Sequence, residues 1–435
     1  MCMHPRLSAA KYLGMCLVLL ILGTISLRAQ NRSPVRLRFD FGPGALQNGY
    51  LRVTPKNIYS PEAGYGFEPG AQITCIDRRT RKHDLDSDFC TSQEPFYFSV
   101  RLPEGNYNVT VTLGDAAGES VTTIKAELRR LMVEKAYTKR GRFETIMFTV
   151  NVRTPQIAGG GEVKLKDREK TTEIWAWDEK LTLEFTNRRP AVSAIEIIDA
   201  RVPTLYLLGD STVADQPREP YSSWGQMLTR FFGPGVAIAN HAESGESLRS
   251  SLAAKRLDKV LSTIQPGDYL FIQYGHNDEK EKGENVGPFT TYKSDLKKFV
   301  TEARARKAIP VLITPVQRRT FDLDHSVTNS HGDYPEAVRQ VAKEEKVPLI
   351  DLNVMSKTLY EAWGTEESKR AFAPNDNTHH NDYGSYELAK CIVEGVKTNK
   401  LHIARYLIKD LPRFDPSRPD LFESFQIPPK PLHGP

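Results

Sequence analysis

The chain has 435 residues, of which 39% are hydrophobic and 26% charged, and this balance excludes a disordered or fibrous protein. Its 59 Lys and Arg against 54 Asp and Glu leave a net charge of +5, too balanced to favour a nucleic-acid or membrane partner. The length is sufficient for two domains of ordinary size.

Residues 1–29 are predicted to be a secretory signal peptide. A basic start precedes an apolar run at residues 12–27, and Ala29 ends a small-residue cleavage site. The alternatives are an uncleaved anchor, for which the run is short, and a lipid anchor at Cys16. We expect an exported protein, periplasmic or extracellular, with no stable membrane span after the leader is cleaved.

Residues 30–200 are predicted to form a β-sandwich. Phe96, Phe98 and Val100 alternate with polar or amphipathic residues, a Pro-Glu-Gly-Asn turn follows, and the alternation resumes at Tyr107. Many short strands separated by such turns are typical of a sandwich. Cys75 and Cys90 are close enough in sequence to close a short loop in an oxidising compartment, but spacing alone leaves their pairing open.

Residues 201–412 change to an alternation of strands and helices. Apolar runs predict buried parallel strands at residues 204–208, 236–239, 269–272, 309–313 and 348–350. Amphipathic segments predict helices at residues 224–232, 252–264, 292–306, 335–345 and 383–398. Five strands with helical crossovers indicate a doubly wound α/β domain, whose ligands bind beyond the carboxyl ends of the strands. The Pro-rich tail at residues 413–435 has no clear period.

Two segments of this α/β region carry the residues of a hydroxyl nucleophile and its base. Ser211 follows the first strand directly, after a glycine that permits a tight turn. Asp376 and His379 share one turn before the last helix, where a carboxylate can orient an imidazole. A lone Gly-Asp-Ser is more often an ordinary turn, so the prediction depends on both segments together.

Two further loops can supply donors to an oxyanion. Gly245 follows the second strand and Asn277 the third, and the Ser211 N–H adds to them. Taken alone, each of these residues is an ordinary loop residue. Ala242 stands where a Gly-x-Ser-x-Gly elbow requires glycine, which disfavours a lipase-type α/β-hydrolase.

A metal site is the competing interpretation of the same loops. His276 and Asp278 flank Asn277, and His380 and Asp382 adjoin His379, as in a metallophosphoesterase. The usual metal-binding motifs of that class do not occur, and we predict no metal and no cofactor.

Three residues are predicted to contact substrate. Arg318 and Arg319 follow the fourth strand, where a guanidinium can pair with a carboxylate; a surface salt bridge is the alternative. Trp224 is predicted to line a sugar cleft, with burial in the core as its alternative.

The four loop segments together resemble the signature of the SGNH (GDSL-type) hydrolases. The matching residues are Gly209-Asp210-Ser211, Gly245, Gly275-His276-Asn277-Asp278 and Asp376-Asn377-Thr378-His379. With the segment Thr314-Pro315-Val316-Gln317-Arg318-Arg319 they most resemble the rhamnogalacturonan acetylesterases. Phe39-Asp40-Phe41-Gly42 and the predicted sandwich resemble a galactose-binding-like domain joined to such esterases.

The resemblance implies a flavodoxin-like catalytic domain with a five-stranded parallel sheet. It also implies a secreted serine esterase that removes O-acetyl groups from pectic rhamnogalacturonan, as polymer or oligosaccharide. Ser211, His379 and Asp376 would be catalytic, and Ser211, Gly245 and Asn277 would form the oxyanion hole. The alternatives are an esterase or lipase for another acyl substrate, such as acetylated xylan, and a metal-dependent phosphoesterase.

Overall fold

Two β-sheets form the N-terminal part of the chain in this computed structural model, which describes residues 34–79, 85–409, 411–425 and 427. The predicted signal peptide, residues 1–29, lies outside the described residues. The strands are β1 (Arg36–Phe41), β2 (Leu51–Val53), β3 (Tyr65–Phe67), β4 (Thr74–Asp77), β5 (Asp88–Thr91), β6 (Phe96–Arg101), β7 (Gly105–Gly114), β8 (Ser120–Ala126), β9 (Arg130–Thr138), β10 (Phe143–Val152), β11 (Lys180–Thr186) and β12 (Val192–Asp199). One sheet has the order β10-β7-β12-β1-β2, with β5 beside β12 and β4 beside β5; the other has the order β3-β6-β11-β8-β9.

The sandwich core is built from alternate residues of the two sheets. Phe39 from the first sheet and Phe98 from the second are both fully buried, and their ring centroids lie 5.2 Å apart. The other face of β6 is also covered, because Tyr97 packs on Trp175. Trp175 belongs to the β10–β11 connection (residues 153–179), which contains the 3-10 helices Asp167–Lys170 and Ile174–Ala176.

Cys75 and Cys90 form a disulfide between β4 and β5. The two residues are directly opposite each other in this antiparallel pair, so the hairpin itself brings the thiols together. The pairing that spacing left open is therefore present in the structure.

A parallel sheet forms the centre of the second domain. Its strands are β13 (Thr204–Gly209), β14 (Ala237–Asn240), β15 (Tyr269–Gln273), β16 (Ile309–Ile313) and β17 (Leu349–Ile350), in the order β14-β13-β15-β16-β17. All neighbouring strands in this sheet pair in parallel. The prediction of a β-sandwich followed by an α/β domain with a five-stranded parallel sheet is confirmed.

Helices cover both faces of this sheet. They are α1 (Trp224–Leu228), α2 (Leu248–Ala253), α3 (Arg256–Thr263), α4 (Lys293–Ala305), α5 (Tyr334–Glu345), α6 (Leu352–Glu367) and α7 (Asp382–Thr398). The single helix predicted at residues 252–264 is wrong, because Lys255 adopts a left-handed conformation with φ of 61° between α2 and α3. The prediction also missed α6, which starts directly after its cap residue Asp351 and so leaves no loop signal behind β17.

The described part of the Pro-rich tail wraps against the α/β domain. Phe422, Phe425 and Ile427 pack on its hydrophobic core, and the Tyr383 hydroxyl donates to the Asp420 carbonyl at 2.6 Å. In the residues that the structure describes, no helix has the length and apolar character needed to cross a bilayer.

Candidate active site

Ser211 lies just beyond the carboxyl end of β13. Gly209 closes this strand, and a Cβ added there would lie 2.6 Å from the Gln273 carbonyl oxygen on β15. Only glycine therefore permits the close approach of the two strands. The Ser211 side chain is left 8% exposed, at the floor of a pocket.

Ser211, His379 and Asp376 form a continuous chain of hydrogen bonds. The Ser211 Oγ is 2.9 Å from His379 Nε2, and His379 Nδ1 is 2.8 Å from Asp376 Oδ2. The other carboxylate oxygen accepts the backbone N–H groups of Thr378 at 2.7 Å and His379 at 2.9 Å. This arrangement can transfer a proton from the serine to the imidazole while the carboxylate fixes the ring.

The Asp376 carboxylate is stabilised in its charged form. Burial opposes ionisation, but the backbone N–H groups of His379 and Thr378 and the imidazole outweigh it, so the pKa of Asp376 is lowered from its ordinary value. The group remains an acceptor for the His379 ring wherever the protein is folded at neutral pH.

Gly245 and Asn277 face the same pocket from two other loops. Gly245 has a φ of +79°, a conformation that L side chains rarely adopt. The Asn277 amide donates to the Glu246 carbonyl at 3.0 Å, which uses one of its two N–H groups and fixes the plane of the amide. The second N–H is the group that can serve an oxyanion.

The two histidines of the competing metal interpretation are buried and held by protein partners. His276 Nδ1 lies 3.3 Å from Asp210 Oδ2, and burial lowers the pKa of His276 to about 4. His380 Nε2 lies 2.7 Å from the Tyr360 hydroxyl, and burial lowers the pKa of His380 to about 3. Both imidazoles are therefore neutral at pH 7.

The two carboxylates of that interpretation are also engaged elsewhere. Asp278 accepts the Leu248 N–H at 2.9 Å, and burial raises its pKa to about 8. Asp382 pairs with Arg129 at 2.9 Å. Within the described residues, no group of three His, Cys, Asp or Glu side chains is arranged to hold a metal ion.

The pocket above Ser211 has a cavity volume of about 640 Å³. Among the described lining residues, Tyr221 is the one aromatic residue besides the histidines. The other described lining residues are polar, charged or glycine. The lining residues are Arg168, Ser211, Gln216, Tyr221, Ser244, Gly245, His276, Asn277, Lys280, Arg318, Asp376, Thr378 and His379.

Comparison with known proteins relates both domains to esterases. A model of the GDSL-like lipase/acylhydrolase family matches residues 207–386, and one of the galactose-binding domain-like part of β-agarase/YXIM esterase-like proteins matches residues 37–135. The rhamnogalacturonan acetylesterase RhgT of Bacillus subtilis (strain 168) is 41% identical over 219 residues, which are 47% of this chain and 94% of that protein. The chain belongs to the GDSL-like lipase/acylhydrolase family. It is a carboxylic ester hydrolase.

A second relative extends over both domains. The uncharacterized esterase YxiM of Bacillus subtilis (strain 168) is 28% identical over 381 residues, which are 84% of this chain and 91% of that protein. An X-ray crystal structure of the Bacillus subtilis YxiM protein aligns at 25% identity with a TM-score of 0.45, covering 85% of this chain and 99% of that one.

The structure separates the two arginines predicted to bind substrate in this GDSL-type esterase. Arg318 lines the pocket and also pairs with Glu279. Arg319 instead donates to the Thr365 carbonyl at 3.2 Å and to the Asn377 side chain at 3.0 Å. The guanidinium of Arg319 therefore supports the turn that carries His379, outside the pocket lining.

The prediction that Trp224 contacts substrate is wrong. Trp224 is 1% exposed and lies in the hydrophobic core, where its Nε1 donates to Gln273 Oε1 at 2.8 Å. It is the first residue of α1, after the N-cap Ser223, and it is not among the residues that line the pocket.

The sequence reasoning missed four pocket residues: Arg168, Gln216, Tyr221 and Lys280. Gln216 donates to the Ser211 carbonyl at 2.8 Å and to Ser244 Oγ at 3.1 Å, and the Tyr221 ring lies edge-on to His379 with centroids 5.8 Å apart. Arg168 reaches the pocket from the β10–β11 connection. No local pattern signals these residues, because Gln216 contacts Ser244 and Tyr221 contacts His379 from loops that are distant in sequence.

Proposed function

We propose that this GDSL-type esterase is exported and removes O-acetyl groups from pectic rhamnogalacturonan through an acetyl-serine intermediate. The observation that carries the proposal is the 2.9 Å contact between Ser211 Oγ and His379 Nε2 on the floor of an open, polar pocket. The 41% identity to a rhamnogalacturonan acetylesterase supports the substrate class.

Acylation starts with proton transfer from Ser211 to His379. The serine oxygen attacks the acetyl carbonyl carbon, and the imidazolium formed is stabilised by Asp376. The Ser211 and Gly245 N–H groups and the Asn277 amide receive the developing negative charge on the carbonyl oxygen. The intermediate then collapses as the bond between the acetyl carbon and the sugar oxygen breaks, and His379 protonates this oxygen, which leaves as the free sugar hydroxyl.

Deacylation repeats this sequence with water. His379 removes a proton from the water, which attacks the acetyl-serine carbonyl, and the same three donors hold the second tetrahedral oxyanion. Collapse of that intermediate releases acetate and returns the proton to Ser211. No group beyond these residues is required for the proton balance.

The pocket lining favours a short acyl group on a polar alcohol. A long acyl chain would need an apolar channel, whereas the described lining residues around Ser211 are polar or charged except for Tyr221 and Gly245. An acetyl group does not require an apolar channel.

Cations at the rim support an acidic polysaccharide. Arg168, Lys280 and Arg318 all line the pocket, while Asp376 is the one carboxylate among its described lining residues and is engaged by His379. A guanidinium offers two parallel donors to a carboxylate such as that of galacturonate.

Export is supported by two independent features. The first is the leader pattern at residues 1–29, which lies outside the described residues. The second is the Cys75–Cys90 disulfide, since such bonds persist in oxidising compartments.

The deciding experiment measures acetate release from acetylated pectic rhamnogalacturonan and from acetylated xylan. We expect wild type to prefer the pectic polymer and Ser211→Ala to lose about 10⁶-fold in kcat. Ser424→Ala, in the exposed tail, is the matched control and keeps full activity. Preference for xylan, or for acyl chains longer than acetyl, contradicts the substrate assignment; an active Ser211→Ala contradicts the mechanism.

A further inference from the structure

A short helix outside both matched family regions touches the loop that carries Gly245. The 3-10 helix Asp167–Lys170 belongs to the β10–β11 connection, whereas the matched ranges are 37–135 and 207–386. Lys166, at its N-cap, donates from Nζ to the Ser244 carbonyl oxygen at 2.7 Å. Arg168 donates from Nη2 to the same oxygen.

These two cations act on the peptide unit whose N–H belongs to Gly245. In a planar trans peptide the carbonyl oxygen of Ser244 and the N–H of Gly245 point in opposite directions. Holding the carbonyl from one side therefore fixes the direction of the N–H on the other side. Two charged donors on the oxygen also polarise the peptide and strengthen its N–H as a donor, because hydrogen bonds in a chain reinforce one another.

We propose that Lys166 and Arg168 are positioning residues of the oxyanion hole, which orient and polarise the Ser244–Gly245 peptide for the developing charge. This inference rests on the proposed function, because it assigns the Gly245 N–H to the tetrahedral oxyanion. The β10–β11 connection of the N-terminal domain thereby completes a site whose reacting groups all lie in the α/β domain.

The cations themselves are held in place by buried carboxylates. Arg168 Nε donates to Glu243 Oε1 at 2.8 Å, and Lys166 Nζ lies 3.2 Å from Glu246 Oε1. Glu243 is 4% exposed and Glu246 is 1% exposed, and both lie in the same loop as Gly245. The cations are therefore attached to the loop at the residues on either side of the peptide they orient.

A second set of contacts, made by Glu169, holds the short helix against α3. The Lys166 N–H donates to Glu169 Oε2 at 2.9 Å, and the Arg256 guanidinium on α3 contacts Glu169 with N–O distances of 3.0 and 2.7 Å. Arg256 and Glu169 are both almost completely buried. The helix thus has a fixed position on the α/β domain even though Arg168 itself is 41% exposed.

The test uses the full chain with two substrates, p-nitrophenyl acetate and acetylated pectic polysaccharide. The first has no sugar, so a residue that only binds carbohydrate does not affect it. Lys166→Met and Arg168→Met retain the aliphatic stems and remove the charged donors. Lys170→Met, an exposed cation on the same short helix, is the matched control.

We expect each Met variant to lose about tenfold in kcat on both substrates, a fraction of the loss caused by removing an oxyanion donor outright. KM on p-nitrophenyl acetate, which has no carboxylate for these cations to bind, is expected to stay within about twofold, since the ground-state carbonyl gains little from the same donors. The inhibition constant of a small alkylboronic acid, which forms a tetrahedral serine adduct, rises by the factor that kcat/KM falls. Arg168→Lys recovers part of the rate, and Lys170→Met matches wild type.

Wild-type kcat on p-nitrophenyl acetate in both Met variants overturns the proposal, as does a loss confined to KM on the polysaccharide. Circular dichroism reports whether each variant is folded. If a Met variant unfolds, Lys166→Gln and Arg168→Gln remove the charge but keep a polar side chain, and wild-type kcat and boronate affinity in both overturn the proposal equally. Failure of the proposed function is distinct, because Ser211→Ala would then keep its activity.

Discussion

Two contacts between the sandwich and the α/β domain differ in burial and in what they hold. At the β8–β9 turn, Arg129 is 2% exposed and donates to Asp382 at 2.9 Å and to the Tyr221 carbonyl at 3.0 Å. In the β10–β11 connection, Arg168 is 41% exposed and contacts the Ser244 carbonyl. The first contact supports the side of the pocket that carries His379, and the second supports the side that carries Gly245.

Because the two contacts differ in burial, we expect the first to affect mainly the stability of the fold and the second mainly the rate of turnover. When a fully buried guanidinium is removed, its carboxylate partner remains as an uncompensated charge, so the whole fold is destabilised. When Arg168 is removed, Lys166 still lies 3.6 Å from the Glu243 carboxylate and water can enter the exposed position, so the main effect is on the peptide that Arg168 orients. The N-terminal domain therefore contributes to the esterase in two ways that mutations can separate.

The largest expected loss of kcat in this comparison comes from the side of the pocket that carries His379 and Asp376. Asp376→Asn keeps the shape of the turn but donates an N–H where His379 needs an acceptor, so the imidazole is held in the wrong tautomer. We expect kcat to fall about 10⁴-fold with the fold retained. Steady-state hydrolysis of p-nitrophenyl acetate measures it, with exposed Asp415→Asn as control; a loss below tenfold would show that Asp376 is not the orienting group.

Arg129→Met tests the buried contact. It leaves Asp382 without its guanidinium partner and frees the Tyr221 carbonyl, so we expect the free energy of unfolding to fall by about 3 kcal/mol. Urea denaturation measures it. The matched control is Arg101→Met, whose pair with Glu179 spans 3.6 Å between side chains 58% and 66% exposed, and which we expect to change stability by less than about 0.5 kcal/mol. Equal effects of the two variants would contradict the comparison.

Asn277→Ala tests the oxyanion side without touching the N-terminal domain. Loss of its free N–H is expected to lower kcat by about 10²-fold at nearly constant KM. Asn277→Asp replaces the donor by a negative charge and is expected to be worse than alanine. If both variants retain more than half of the wild-type kcat, the amide does not contact the oxyanion.

Acid should destabilise the α/β domain through His276. Its folded-state pKa of about 4 is below the ordinary value of about 6.5, so the unfolded chain binds the proton first as the pH falls. Stability is therefore lost between pH 6.5 and 4, by about 2 kcal/mol for this group between pH 6.5 and 5. Urea denaturation at these pH values measures it, and His276→Asn should reduce the slope; an unchanged slope would assign the proton elsewhere.

Regular elements could be predicted because their signals are local. Phe96, Phe98 and Val100 alternate in sequence and lie in the core of the sandwich, and the apolar runs of the α/β domain became its parallel strands. The sequence-based predictions failed where the local sequence carries no signal for the structure, or where such a signal was overlooked. Trp224 could face a cleft or the core from the same position on α1, and only the packing of the sheet decides between them.

The sequence by itself determined that Ser211, Gly245 and Asn277 follow parallel strands, whose carboxyl ends meet at one edge of the sheet, and that Asp376 and His379 share one turn before the last helix. Only the tertiary structure decided that Arg318 enters the pocket while Arg319 supports the turn beside it. It also decided that Arg168 reaches Ser244 across 76 residues of sequence. Periodicity reports on neighbours along the chain, whereas these contacts join residues that only tertiary packing brings together, within the α/β domain for the two arginines and between the two domains for Arg168.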